Sequence, residues 1–576
     1  MFQPDVQIST SPFCLFRRDR ENVRQPKLPY VSAVEAMARL IPAIEVDFDH
    51  FGEIRSLSTS APEGLYKRYA RINPVRLACN LLASPTVRRA LGLQHTNLRL
   101  SRRTRFGFGY RVDFKQVASL YETDRMIPVR GGAVSISIDT NGRAFSITST
   151  LRRGRRSSKQ GNIISQADAI ARACELFRQP IDSSSCQLIY SSHKGRMDLA
   201  YEVVLQSNQP RNVVSYLVLA KTGRVVDQQL KLWRGSTIRS TSGVEAKALL
   251  CTPDASQSIS GQVSQTIISG LPEPGVLRNE YFEMFLGHER KPVLAKRDGT
   301  YCYGVRDPEF AAVSVFVALN GQLKLYRDLG MIAPEQVLSV FVNDPTVPDN
   351  AYFDPLNYEM RIGVGSGLVR GGLNKRIAFD IGVANHEFGH NAVFLQAPGH
   401  DLPGVEGAAM HEAIGDVLGT LLMDYLYKIW YARALGREFT IDDLAEDRRL
   451  IGKYALPPNG LRSQLNTKRA PYDMTGQPHS DGLIVGGAFA DTLVSMALSP
   501  GGILEDQLRL FAKIHLTALA LVPIHKVSFR DMLRAFVTAD QLETGGKYRE
   551  TIEWCFAAHG IRFGAHTKRF ATKRAA

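Results

Sequence analysis

The chain has 576 residues, of which 44% are hydrophobic and 22% are charged, so it has ample material for several packed domains and is not a disordered protein. Since no apolar run reaches the roughly 18 residues of a membrane-spanning helix, the sequence predicts no membrane span. The seven cysteines include no Cys-x-x-Cys pair, which argues against both a disulfide framework and a thiolate metal site.

The positive charge is concentrated in the first part of the chain. The net charge is +15, of which residues 1–250 contribute +18 (38 basic against 20 acidic residues) and residues 251–576 contribute −3 (33 against 36). A basic part is therefore joined to a nearly neutral one, which suggests two functions.

The N-terminus lacks the features of a secretion signal. Arg17, Arg18 and Asp19 stand where a signal peptide would need an apolar stretch. We therefore expect either a cytoplasmic protein or export by a route other than the Sec pathway.

The first 233 residues read mainly as short strands and turns. Alternating apolar and polar residues predict strands, and Ser165 is placed to cap a helix that runs to Phe177. The predicted strands are 44–48, 134–138, 145–147, 201–205 and 216–219. This composition of elements predicts an α+β fold.

Residues 234–275 separate this part from a more helical one. They are rich in serine, glycine and proline, a composition typical of linkers. The helices predicted after this segment are Glu309–Leu329, Val383–Phe394 and Ala408–Tyr431, followed by further helices from Asp481 to the end.

The clearest chemical motif lies on the second of these helices. His386-Glu387-Phe388-Gly389-His390 is an HExxH pattern. On a helix, residues i and i+4 project from one face, so both imidazoles can bind one zinc ion while Glu387 reaches the adjacent water. Alone, the pattern also fits an ordinary helix that carries two core or surface histidines.

The next helix offers a third ligand. Glu412 and Asp416 again have i, i+4 spacing, and their neighbours are apolar. Burying an unpaired carboxylate costs free energy, so the carboxylates on this buried face are expected to have a partner. Glu412 is the candidate ligand, and Asp416 the carboxylate that orients a ligating histidine.

Taken in order, these motifs resemble those of the thermolysin family of zinc metalloendopeptidases. His386, Glu387 and His390 match the first zinc motif of the family, and residues 409–416 resemble the second. Three more segments resemble its substrate-binding and catalytic-histidine segments, namely Asn350-Ala351-Tyr352-Phe353, Leu461-Arg462-Ser463 and Pro478-His479-Ser480-Asp481-Gly482. The resemblance covers about residues 300–576.

The resemblance implies a zinc-dependent endopeptidase that cleaves on the N-terminal side of apolar residues in a peptide or protein substrate. It implies a two-lobed catalytic domain over residues 276–576, with a mixed N-terminal lobe and a helical C-terminal lobe. The implied roles are zinc ligands His386, His390 and Glu412; catalytic residues Glu387 and His479; supporting carboxylates Asp416 and Asp473, the latter as partner of His479; and substrate-binding residues Asn350, Ala351 and Arg462.

The basic part resembles the pro-region of the same family. Residues 80–150 look like a fungalysin–thermolysin propeptide and residues 160–230 like a PepSY module, after a separate N-terminal α+β region at 1–79. The resemblance implies a zymogen-like precursor whose N-terminal half inhibits its own catalytic domain. An ordinary solvated basic surface is the alternative.

The sequence also departs from the family pattern. The spacing between His390 and Glu412 is two residues longer, Pro403 falls near the place of an oxyanion-assisting tyrosine, and His411 replaces an asparagine. No calcium-ligand set is matched, so calcium stays unassigned as a second cofactor.

Two other functions fit parts of the sequence. A gluzincin aminopeptidase would share the two histidines and the glutamate, but its Gly-x-Met-Glu-Asn amine anchor is absent. A latent, non-enzymatic protein could use its basic half to bind an anionic partner. Nucleic acid is disfavoured as that partner, because the arginine cluster at residues 152–156 has no aromatic residues beside it.

Overall fold

A computed structural model describes most of the chain. The described residues are 44–48, 54–59, 65, 73–93, 96–120, 125–152, 155–156, 163–177, 179–193, 196–208, 211–230, 244–251, 263–271, 275–365, 377–398, 401–434, 436, 438–445, 447–452, 460–499, 502–524, 527–563 and 568–570. They combine helices with mixed sheets, so the fold is α+β.

The N-terminal half is built mainly of antiparallel strands. Its elements are β1 (Ile44–Phe48), β2 (Ile54–Thr59), α1 (Pro74–Ala83), α2 (Pro85–Ala90), β3 (Asn97–Phe106), β4 (Gly109–Ser119), β5 (Met126–Asp139), β6 (Ala144–Ser149), β7 (Arg155–Arg156), α3 (Gln166–Cys174), β8 (Ser183–His193), β9 (Arg196–Asn208), β10 (Arg211–Leu219) and β11 (Val225–Leu230). The strand order along the main path is β11-β10-β9-β8-β5-β6-β2-β1, with β3 attached to β4 and β4 to β5. The alternating sequence patterns thus lie on strands, as predicted, and Ser165 caps α3 within a capping box.

The separate region predicted at residues 1–79 differs from what the structure has. Helix α1 crosses residue 79, and β2 pairs with β6. Strands β1 and β2 therefore share a sheet with the strands that follow α2, because their apolar faces complete one core. Residues 1–43 lie outside the described part of the chain.

The predicted linker also contains folded structure. Strands β12 (Val244–Cys251) and β13 (Val263–Leu271) form an antiparallel hairpin within it. Ala248 and Leu271 are buried in the same core as the long helix that follows. The prediction of a linker was therefore wrong for these strands, because their few apolar residues matter more than the surrounding serines and glycines. The rest of the predicted linker, 234–243, 252–262 and 272–274, lies outside the described residues.

The C-terminal half combines a small sheet with a helical assembly. Its elements are β14 (Phe282–Leu286), β15 (Lys291–Pro292), α4 (Pro308–Asp328), β16 (Leu338–Asp344), β17 (Ala351–Asp354), β18 (Glu359–Gly363), a 3₁₀ turn (Ile377–Phe379), α5 (Ile381–Gln396), α6 (Val405–Ile414), a π-helical segment (Gly415–Leu421), α7 (Leu422–Ala434), α8 (Ile441–Ala445), β19 (Leu450–Ile451), β20 (Arg462–Ser463), α9 (Pro478–Ala497), α10 (Leu504–Leu521), α11 (Phe529–Thr544), α12 (Arg549–Ala558) and β21 (Lys568–Phe570). None of the helices described has the length and hydropathy that a membrane span requires.

The predicted helices are present, with one difference. The segment predicted as a single helix over 408–431 consists of α6, the π-helical segment and α7. Its apolar composition shows burial but does not distinguish α from π hydrogen bonding, so the change of helix type was not visible in the sequence.

The five-stranded sheet has the order β15-β14-β16-β18-β17 and leaves β17 at its edge. Strands β14, β16 and β18 are parallel, whereas β17 runs antiparallel to β18. Helix α4 packs against both this sheet and α5. Phe388 of α5 contacts the rings of Phe282 on β14 and Tyr326 on α4 at centroid distances of 5.7 and 6.2 Å. The sheet and α4 thereby fix the position of α5.

One buried histidine of helix α10 has no polar partner among the described residues. His515 is 0% exposed, and within the described part of the chain neither Nδ1 nor Nε2 has a hydrogen-bond partner. Its ring lies against three phenylalanines at centroid distances of 4.6 to 5.6 Å. Burial lowers its pKa to about 3, so the ring is neutral at pH 7.

We predict that His515→Leu stabilises the protein. Leucine has a similar volume and leaves no buried polar atom unpaired, so the free energy of unfolding should rise by about 1–2 kcal/mol at pH 7. The gain should widen by about 2 kcal/mol between pH 7 and pH 5, because unfolding of the wild type exposes a histidine that then binds a proton. Urea unfolding at both pH values measures it.

The control is His288→Leu, because the side chain of His288 is 51% exposed. It should leave both values nearly unchanged. A His515→Leu protein that is no more stable than the wild type at pH 5 would show that the buried ring is satisfied in the folded state.

Candidate metal centre

Helix α5 carries the HExxH residues in a deeply buried setting. It begins after Asp380, whose side chain accepts a hydrogen bond from the Gly382 N–H, and almost every residue from Ala384 to Gln396 is buried. On the neighbouring segment, a Cβ on Gly415 would lie 2.6 Å from the His386 ring, and a Cβ on Gly389 would lie 2.7 Å from the Gly415 Cα. Glycine at these two positions therefore permits the close approach of α5 to the π-helical segment.

Three ligand-type side chains converge where these elements meet. His386, Glu387 and His390 place ligand atoms within 4.8 Å of one another. Glu412, at the end of α6, lies with Oε2 3.5 Å from His386 Nε2 and with Oε1 3.9 Å from His390 Nε2. The structure thus brings together the two histidines and the glutamate that were predicted to share a metal ion.

Asp416 contacts the His386 ring of this cluster. Its Oδ1 lies 3.0 Å from His386 Nδ1, on the side of the ring away from Glu412. The carboxylate also accepts hydrogen bonds of 2.6 Å from Arg462 Nε and Nη2 and of 2.6 Å from Gln464 Nε2. These contacts hold Asp416 in one orientation and so fix the His386 ring.

The carboxylates and burial shift the pKa values of the two histidines in opposite directions. At His386, burial opposes a charged ring, but Asp416 and Glu412 outweigh it and raise the pKa to about 10. At His390, burial and the charge on His386 lower the pKa to about 3. The cluster therefore favours a positive charge on His386 and a neutral imidazole at His390, and a divalent cation bound between them would take the place of the proton on His386.

The pKa values of the two glutamates are also shifted in opposite directions. Burial, reinforced by the charge on Glu412, raises the pKa of Glu387 to about 7. Contacts of Glu412 with His386 and His479 outweigh its burial and hold its pKa well below its usual range. Glu412 is therefore a permanent anion, whereas Glu387 can take up and release a proton near neutral pH.

His479 lies at the mouth of the site, in the first turn of α9. Its side chain is 64% exposed, and Nδ1 lies 2.6 Å from Glu412 Oε2. Its predicted pairing with Asp473 is not among the contacts of the described residues, since the Asp473 carboxylate accepts from the Arg469 N–H at 2.7 Å. That hydrogen bond closes a tight turn before α9, which keeps the carboxylate within its own loop.

The predicted substrate-binding residues occupy two sides of the site. Ala351 begins the edge strand β17, and Asn350, directly before it, is exposed and accepts through its carbonyl from Gly363 N–H at 2.9 Å. The backbone N–H of Phe353 on this strand donates to the Glu387 carboxylate. Arg462 lies opposite and is held by Asp416, with Nη2 also 3.5 Å from Glu412 Oε2.

Two features of the site were missed in the sequence. Gln464 is fully buried and bonds Asp416, and its spacing of two residues from Arg462 in an extended segment could have placed both on one face. His411 Nε2 lies 2.9 Å from Asp401 Oδ1, and its ring lies 5.6 Å from that of His390. The sequence marked His411 as unusual but gave no sign of its partner.

Comparisons with known proteins add little to this description. No family model and no curated protein matches the chain. Among solved structures, the chain is similar to the Bacillus megaterium YpeB C-terminal domain, with 11% sequence identity and a TM-score of 0.22. The match covers 36% of this chain and 98% of that chain, but at this TM-score it carries no argument about fold or function.

We predict that Gly415→Ala severely weakens metal binding. The added methyl group would overlap the His386 ring, which is 8% exposed and cannot move away without breaking its contact with Asp416. Zinc or cobalt affinity, measured by competition with a chromophoric chelator, should fall at least about tenfold.

Gly321→Ala on α4 is the matched control, since its Cβ would meet only the Tyr427 hydroxyl at 3.6 Å. This variant should bind metal as the wild type does. Unchanged affinity in a folded Gly415→Ala protein would mean that the ring of His386 is not fixed by this contact.

Proposed function

We propose that the chain is a zinc-dependent endopeptidase of the thermolysin type. The observation that carries the proposal is the convergence of His386, His390 and Glu412, with the ionisable Glu387 beside them, beneath the open edge of β17. A peptide substrate can add to such an edge as a further strand, which would place its backbone across the cluster.

The donor set fits zinc. Two imidazoles and one carboxylate are the ligands of many hydrolytic zinc sites. Glu412 is ionised and His390 is neutral, and His386 would release its proton when the metal binds. When bound, zinc would polarise the substrate carbonyl and lower the pKa of a bound water. Calcium ligands are not proposed.

The residues of the site would then have separate roles in the reaction. Glu387, with its pKa near 7, would accept the proton of the attacking water and donate it to the leaving amine. Exposed His479 would donate a hydrogen bond to the developing oxyanion. Arg462, oriented by Asp416, would bind a substrate carbonyl, and Asn350 and Ala351 would align the substrate backbone.

The proposal extends to domain organisation. The five-stranded sheet with α4 would form the mixed lobe and helices α9 to α12 the helical lobe, with α5 between them. Residues 80–233 would correspond to a pro-region. In such an arrangement the outer edge of β17, which pairs with no other described strand, would be free to bind substrate along its length, which favours internal peptide bonds over N-terminal ones.

We predict that Glu387→Gln removes peptidase activity but keeps the metal. Glutamine retains the shape of the side chain but cannot accept a proton, so kcat should fall at least about 10²–10⁴-fold. Zinc-loaded wild type and variant are compared on an N-terminally blocked peptide with an apolar residue after the scissile bond, and bound zinc is measured in both.

Glu289→Gln is the control, because the side chain of Glu289 is 81% exposed. Hydrolysis of the blocked peptide also excludes the aminopeptidase alternative. Equal activity in wild type and Glu387→Gln would remove Glu387 from its role, and zinc-loaded wild type without any activity would refute the endopeptidase proposal.

We further predict that His479→Phe lowers kcat about 10²-fold with little change in KM, because its hydrogen bond is formed mainly in the transition state. Steady-state kinetics on the same blocked peptide measure the two constants. His288→Phe serves as the control on an exposed histidine. If His479→Phe keeps full activity, another group stabilises the oxyanion.

A further inference from the structure

The N-terminal half inserts a buried arginine into the helical lobe. Arg111 on β4 is 1% exposed, and its Nη1 donates to the carbonyls of Ala520 and Val522 at 3.0 and 2.8 Å. These carbonyls end helix α10, where the helix itself offers no donor. Asp113 accepts from Arg111 Nε at 2.8 Å, so the charge is balanced within the N-terminal half.

A second set of charged side chains, alternating in sign, joins the N-terminal half to the C-terminal half. Arg534 on α11 bonds both Asp47 of β1 and Asp531 at the start of its own helix. Asp531 in turn lies 3.3 Å from Arg55 Nη2 of β2. The side chains of Asp47, Asp531 and Arg534 are only 5%, 6% and 12% exposed.

Apolar packing and a strand also join the two halves. Phe106, Phe108 and Phe145 of the N-terminal half are buried in the same hydrophobic core as the helices of the C-terminal half. Near the end of the chain, β21 pairs antiparallel with β1, with Arg569 opposite Glu45. The boundary therefore has the apolar core of a permanent interface and not only a rim of surface charges.

This interface involves helices α10 to α12 and the end of α5, where Arg102 Nη2 donates to the Pro398 carbonyl, but it does not reach the candidate site. Among the hydrogen bonds and ion pairs of the described residues, none joins residues 44–230 to the HExxH residues, Glu412, Arg462 or His479. The large exposed fraction of the His479 side chain agrees with this placement.

We propose that residues 44–230 are a permanent structural partner of helices α10 to α12, which stays bound when the chain is cut between β11 and β12. This inference concerns the regulation of the proposed peptidase, on which its meaning rests, and it differs from a releasable inhibitor. Separation would expose three phenylalanines, two terminal carbonyls of α10 and a set of buried charges. Charges buried in this way are screened little by salt, whereas an inhibitor docked by surface charge dissociates as salt rises.

The test uses the full chain with a site-specific protease sequence inserted at residues 235–243. A Glu387→Gln background makes the result independent of any peptidase activity of the protein itself. After the cut, we expect both fragments to elute together at the volume of the uncut chain in 0.1 M and in 1 M NaCl. Elution of two separate fragments at either salt concentration would overturn the proposal.

The contacts themselves are tested by Arg111→Ala combined with Arg534→Ala. The cut double variant should lose most of the co-eluting species, whereas cut Arg172→Ala, an exposed arginine paired within its own region with Glu175, should keep it. Equal retention in both would contradict the assigned interface. If the double variant does not fold, hydrogen exchange on the cut wild-type form decides, since β1 and α11 should stay as protected as in the uncut chain.

The proposed function fails by a different observation. It would be lost if the zinc-loaded chain with Glu387 intact hydrolysed no blocked peptide, whatever the cut fragments do. Co-elution of the fragments without peptidase activity would support the permanent interface and refute the proposed function. Peptidase activity with separated fragments would support the proposed function and refute the permanent interface.

Discussion

The candidate site depends on how closely two helical segments approach each other. The His386 ring lies against the backbone of Gly415, and Gly389 faces the same residue from α5. Any side chain at these glycines would push α5 away from the segment that carries Glu412 and Asp416. Two candidate ligands that are distant in sequence can meet only because no Cβ atom lies between their helical segments.

The buried charge of Asp416 extends this constraint to the rest of the site. One carboxylate contacts His386, Arg462 and Gln464, which come from α5, β20 and the segment directly after β20. Because a buried carboxylate is stable only when its oxygens are paired, each of these partners is held in place by the others. The same residue thus orients a ligand and a residue proposed to bind substrate.

The sequence contained the local chemistry of this site but not all of its long-range pairing. Helical spacing correctly placed the two histidines on one face, and the apolar neighbours of Glu412 and Asp416 indicated a buried carboxylate pair. The pairing of His479 with Glu412 could not be read from spacing, because it depends on how α9 packs on α6. Likewise, the polar composition of residues 234–275 concealed a hairpin whose few apolar residues complete a core built elsewhere.

The pairing of β21 with β1 has a consequence for how the chain is made. Strand β1 is synthesised early, whereas its partner β21 follows all the other strands and helices described. Until then, β1 is the edge of its sheet and offers unpaired backbone groups to any other strand nearby. During biosynthesis, the nascent protein therefore passes through a stage in which this edge is open to misassociation with neighbouring chains, and the synthesis of β21 ends that stage.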